Sequence, residues 1–197
     1  PPIVAAEGFA GLNDQHGQPI DEAFRARRRD ALLAAFDRLA PDALLIEAFP
    51  FGRRQVRFEL KPLLEAARAR HPRPLIASSV RDILQANRKP GRDQETVAAL
   101  ADFDAVLMHG DPSFARIEES FPLAGQIADK VHYTGLVAPP PPPPATEGHD
   151  IIVSAGGGAV GADLIRAAIA ARTLLPEDLD WCVLTGPNLP QSEYDTI

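Results

Sequence analysis

The chain has 197 residues, 45% of them apolar, with a formal charge of −7, enough for one sizeable domain or parts of two and without the overall basic field of a general nucleic-acid binder. Its one cysteine, Cys182, excludes an internal disulfide and lies in an apolar run, so a reducing, cytoplasmic location is expected. No apolar run reaches the roughly 18 residues that cross a bilayer, and Pro1-Pro2-Ile3 does not open a signal peptide, which leaves only peripheral contact with a membrane surface open.

In chain order, a strand-like fragment at residues 3–6 precedes a helical pattern at 21–39, where Leu32, Leu33, Ala35, Phe36 and Leu39 recur at helical spacing. Arg25, Arg27, Arg28 and Arg29 at its start read as a solvated face. Pro41-Asp42 breaks that helix, and residues 43–46 form a short buried strand ending at Glu47. The next helix spans 56–70, with Pro62 marking a kink or a late start. Strands follow at 74–78, at 105–108 (ending in His109-Gly110-Asp111) and at 130–134, with a helix near 95–100 between the first two. This alternation predicts an α/β fold with a parallel sheet covered on both faces. Pro139 to Pro144 are six consecutive prolines, which favour an extended spacer and cannot pair inside a sheet. Accordingly, the expected division is residues 1–137 as a first domain, 138–149 as a proline-rich linker and 150–197 as the start of a second. Both ends read as cut, so a fragment of a longer protein is expected.

In open α/β sheets the residues just beyond the carboxyl ends of the strands meet the ligand. Here those tips carry Glu47, Arg53 and Arg54 after the first strand, Ser78, Ser79, Arg81 and Asp82 after the second, and His109 and Asp111 after the third. Carboxylates, an imidazole and guanidinium groups so placed suit acid–base work on a hydroxylated or phosphorylated substrate. Glu47 and His109 are the candidate bases, and Arg53, Arg81 and Asp82 the candidate substrate anchors. Simpler roles stand beside these: Glu47 pairing with an arginine, Ser79 and Asp82 capping a following helix, and His109 satisfying backbone groups. No recognisable metal-ligand spacing and no G-x-S-x-G elbow occurs.

After the prolines, IIVSAGGGAVGADLIRAAIAA joins a β-branched run to a glycine cluster that opens a helix. Gly156, Gly157, Gly158 and Gly161 could let the backbone approach a phosphate at the helix start, or could serve only a tight turn and close helix–strand packing. Dinucleotide binding asks for an acidic residue about 20 residues further on, closing the next strand. That strand, WCVLTG, ends instead in Thr185-Gly186, which disfavours NAD and FAD.

LLIEAFPFGRRQVRFELKPLLEAA, SSVRDIL, VLMHGDP, VHYTGLV and IIVSAGGGAVGADLIRAA together resemble a group of bacterial predicted glycosyltransferases related to the undecaprenyl N-acetylglucosaminyltransferase MurG. The resemblance implies the GT-B fold of family 28-like enzymes: two Rossmann-like domains, both truncated in this chain, joined by the proline-rich linker. It implies metal-independent, inverting transfer of a sugar from a nucleotide-diphosphate donor to an unknown acceptor, with no bound cofactor. On this reading Glu47, Arg53, Arg81, Asp82 and His109 face the acceptor, and the loop Gly156 to Gly161 faces the phosphates or the acceptor. That loop is one residue longer than the G-G-S-x-G-A form of MurG, and no G-G-x-G-H loop is present. With about 50 residues after the linker against roughly 150 for a full domain, the chain alone is expected to be inactive. A non-catalytic nucleotide- or sugar-binding module of the same fold is the alternative.

Overall fold

A computed structural model describes residues 1–5, 11–85, 89–143, 148–157 and 161–197. It comprises two units, Pro1–Pro139 and Pro140–Ile197. In the first, β1 (Ile3–Ala5) pairs antiparallel with β2 (Leu12–Asp14), a pairing the sequence reading does not anticipate. Helix α1 (Glu22–Leu39) starts where the Asp21 carboxylate accepts the Phe24 N–H at 2.7 Å. It ends at Ala40, whose left-handed backbone (φ 46°) lets its N–H donate to the Phe36 carbonyl at 2.9 Å.

Only Phe36 of α1 is fully buried, and Leu39 is 69% exposed. The helix is also held by an ion pair. Arg28 donates twice to Glu59 of α2 (Arg57–Ala69), at 2.8 and 2.7 Å, and Glu59 is buried. Arg28 therefore does not belong to the solvated face expected of the arginine cluster. Helix α2 runs without interruption through Pro62, so the expected late start is not found. Buried Leu63, Leu64 and Ala67 on one face offset the backbone hydrogen bond that proline removes.

Strands β3 (Ala43–Glu47), β4 (Leu75–Arg81), β5 (Ala105–His109) and β6 (Val131–Tyr133) form a parallel sheet in that spatial order. The fold class is thus mixed α/β with a parallel four-stranded sheet. Helix α3 (Arg92–Ala99) lies between β4 and β5 in the chain. When consecutive parallel strands advance in one direction, crossovers of one hand leave every connection on the same face. The core accordingly gathers Ile46, Ile76, Val80, Val106 and Met108 with Leu63, Leu64, Leu100 and Phe103. The opposite face, reached by the alternating residues, carries Leu45, Ala77, Ser79 and Leu107; Leu45 at its edge is 58% exposed, whereas Ala77 is 3% exposed.

Asp104 fixes the lower end of the sheet. Its carboxylate accepts the Ile76 N–H at 2.8 Å and Arg73 at 2.9 and 3.0 Å, while its own N–H donates to the Ile76 carbonyl at 2.7 Å. Partial burial alone would raise its pKa, but the Ile76 N–H and the Arg73 guanidinium outweigh this and hold it below the usual carboxylate value.

In the second unit β7 (Ile151–Ser154) pairs parallel with β8 (Trp181–Leu184), with α4 (Ala162–Arg172) between them and α5 (Gln191–Tyr194) after. Ile165 is its fully buried apolar side chain among the described residues, and Trp181 and Cys182 are adjacent and half-buried on β8.

Two stability changes follow. Ala40→Gly removes a Cβ from a left-handed position and is expected to raise urea-denaturation stability by about 0.5–1 kcal/mol. Asp104→Asn is expected to lower it by about 1 kcal/mol near neutral pH, since the carboxylate is a third exposed and partly screened. Because the folded-state pKa of Asp104 is depressed, its contribution is complete above the ordinary carboxylate pKa and is lost as pH falls below it. The difference between variant and wild type should therefore shrink on acidification, and a constant difference across that range would contradict the assignment.

Candidate functional site

Parallel register sets the carboxyl ends of β3, β4 and β5 side by side. Glu47 is level with Ser79, and Arg81 with His109. These tips open on a groove of about 1530 Å³, whose lining includes Glu47, Arg53, Ser79, Arg81 and His109. Of the predicted rim residues, Asp82 is not in that lining. Its carboxylate accepts the Ile83 N–H at 2.9 Å, and among the described residues no helix begins there to be capped, the next being α3 at Arg92. The backbone of Asp82 lies so close to Gly110 that a Cβ at 110 would come within 2.5 Å of the Asp82 Cβ.

After β3 the chain winds back through Ala48 and Arg53, both with positive φ (62° and 55°), and the Gly52 N–H donates to the Ala48 carbonyl at 2.7 Å. That turn brings the Arg53 guanidinium to Glu47 at 3.1 Å, a pair exposed on both sides and so only weakly stabilising.

His109 is held from both ring nitrogens. Its Nε2 is 2.6 Å from the Ser79 hydroxyl and its Nδ1 is 2.8 Å from the Thr134 hydroxyl. The Thr134 hydroxyl also lies 3.1 Å from the Gly135 carbonyl and 3.3 Å from that of Met108. These contacts tie the imidazole between β4 and the segment that follows β6. Asp111 takes no part in them. The Ser113 hydroxyl and N–H, both on its carboxylate, hold its pKa below the usual value.

Arg54, one of the strand-tip residues read from the sequence, lines the same groove together with Arg57, Lys89 and Arg92, which the sequence does not single out as ligand groups. Arg54 donates through Nη2 to the Arg92 carbonyl at 3.0 Å and to the Thr96 hydroxyl at 2.7 Å. Burial first, and the Arg92 charge second, lower its pKa from the ordinary arginine value. The available signal was positional, since both α2 and α3 begin with arginine, against the preference of a helix start for anions.

In the second unit Gly156 has φ 70° and its N–H is 3.3 Å from the Ser154 hydroxyl. A Cβ on Gly161 would lie 2.2 Å from that of Ala155, so close helix–strand packing alone requires glycine there. At Gly157 a Cβ would meet nothing within 4 Å. Gly158 falls outside the described residues. No group of histidine, cysteine and carboxylate side chains able to hold a metal occurs among the described residues, and no helix among them is long and apolar enough to cross a membrane. None of the protein-family models, curated proteins and solved structures compared with this chain matches it.

The glycines can be separated by substitution. Gly161→Ala is expected to destabilise the second unit by about 1–3 kcal/mol through overpacking, and Gly157→Ala by well under about 1 kcal/mol. Thermal unfolding of the two variants side by side tests this, and equal losses would contradict the packing argument.

Proposed function

We propose that this chain is part of a metal-independent, cytoplasmic glycosyltransferase, inverting in the stereochemical sense implied by its resemblance to MurG-like enzymes, that moves a sugar from a nucleotide diphosphate to an acceptor hydroxyl. The observation that carries the reading is the imidazole of His109, held through both ring nitrogens by the Ser79 and Thr134 hydroxyls on the rim of an open groove. An acceptor hydroxyl taking the place of Ser79 would give its proton to Nε2 as its oxygen attacks the anomeric carbon and the nucleoside diphosphate leaves. Arg53 and Arg81 serve as anchors for the acceptor, and Glu47 adds a negative charge to the groove that favours the imidazolium formed.

A non-catalytic nucleotide- or sugar-binding module is the second reading. It is favoured by the engagement of Glu47 with Arg53 and by the packing role of Gly161. Calorimetry with UDP, UDP-sugars and dTDP-sugars, followed by a donor-hydrolysis and transfer assay on the longest protein that contains this chain, distinguishes the two. His109→Ala is expected to lower turnover by about 10²–10⁴-fold with donor affinity unchanged. Donor binding with no turnover in the wild type would leave the binding-module reading in its place.

A further inference from the structure

Of the serines in the chain, Ser79 alone meets an imidazole. Ser78 is buried and donates to the Phe49 carbonyl, Ser113 donates to the Asp111 carboxylate, and Ser120 accepts the Leu84 N–H. The Ser79 hydroxyl lies 2.6 Å from His109 Nε2, and the far ring nitrogen, Nδ1, lies 2.8 Å from the Thr134 hydroxyl. A hydroxyl, a base within hydrogen-bond reach of it and a third group that holds the base from behind are the parts that nucleophilic catalysis requires. Thirty positions separate Ser79 from His109, so no local motif displays them. Such sets are recognised by geometry and not by order in the chain.

The pair is open to a reactant, since Ser79 and His109 both line the groove and both are half-buried rather than sealed. Strand alternation places Arg81 on the same face of β4 as Ser79, two residues and so roughly 6.5 Å further along. Its Nε donates to the Ile83 carbonyl at 3.1 Å, and its terminal nitrogens make no hydrogen bond or ion pair among the described residues. A guanidinium with spare donors beside a nucleophile suits the negative oxygen that forms when a carbonyl is attacked. Glu47 is level with Ser79 on β3, where its charge favours the imidazolium formed in the same step. Arg25, Arg53 and Lys89 also line the groove, a polar setting that suits a small acyl group better than a long alkyl chain.

We propose that Ser79 is a nucleophile activated by His109, and that the groove carries a second activity, the hydrolysis of short-chain acyl esters. Attack uses the tautomer whose Nε2 bears no hydrogen. The Ser79 oxygen bonds to the acyl carbon while its proton passes to Nε2, and Arg81 meets the oxyanion. As this intermediate collapses, the ester C–O bond breaks and the departing alcohol takes that proton, leaving acyl-Ser79. Water then attacks the acyl carbon and gives a proton to Nε2, and the carboxylic acid departs as the Ser79 oxygen recovers the proton. The activity does not rest on sugar transfer, because its nucleophile belongs to the chain itself.

The probe is a fluorophosphonate applied to the full chain, with the labelled peptide located by mass spectrometry. The Ser79 oxygen should displace fluoride from phosphorus, its proton passing to His109, so that the label is held at Ser79. His109→Ala should slow labelling by about 10²-fold or more, and Ser79→Ala should leave that peptide unlabelled. Thr134→Val, which keeps the shape and removes the hydroxyl, should slow it several-fold, and Ser113→Ala should label as wild type does. With p-nitrophenyl acetate, release of p-nitrophenolate should accompany acetylation of Ser79, and p-nitrophenyl palmitate should react much more slowly. Far-ultraviolet dichroism of each variant separates lost reactivity from lost folding, and the position of the label in wild type decides the matter without any variant. No label at Ser79, equal labelling of the other serines, or an unchanged rate in His109→Ala would overturn the nucleophile. A faster reaction with the palmitate ester would overturn the short-chain assignment. Failure of donor binding or of sugar transfer would count against the glycosyltransferase reading alone.

Discussion

The placement of β4 between β3 and β5 is the constraint on which the larger unit depends. Its two ends are tied by side chains rather than by the ladder alone. At the start, Asp104 grips Ile76 and Arg73, and near the end the fully buried Ser78 hydroxyl donates to the Phe49 carbonyl at 2.8 Å. A slip of one residue would send Ile76, Ser78 and Val80 to the open face and bring Ala77 and Ser79 into the core. The apolar pattern and the two side-chain ties therefore select the same register. That register is what sets Ser79 within reach of His109 and leaves Arg81 level with it.

The polar face so created has an economy of donors and acceptors. The position of the His109 ring is set by the hydroxyls of Ser79 on β4 and of Thr134 after β6, the latter close to the Met108 and Gly135 carbonyls. A buried carboxylate, the usual orienting partner, is not needed, and Asp111 is left to close its own turn with Ser113.

Much of the framework was legible in the residues. Asp21 announces the start of α1, Pro41-Asp42 its end, and the short β-branched or aliphatic runs give the four strands of the sheet with boundaries moved by up to three residues. Strand β4 continues to Arg81 because it has partners on both sides, information that no local window contains. The same limit explains why Thr134 was not joined to His109, from which it is separated by 25 positions. Arg28 looked like one of four solvated arginines, and only its tertiary partner Glu59 distinguishes it. Glycine is ambiguous in a different way. The letter is the same at Gly157, where there is open space, and at Gly161, where a neighbouring Cβ leaves none.

Trp181 and Cys182 stand next to each other on β8, and they are the only tryptophan and the only cysteine in the chain. All intrinsic indole fluorescence and all thiol chemistry therefore originate in the smaller unit, and the larger is silent to both. Emission excited at the red edge of absorbance follows the loosening of the β7–β8 pair alone, while far-ultraviolet dichroism is weighted toward α1 and α2. The protein thus carries a built-in way to ask whether its two units melt together or apart, with no label added.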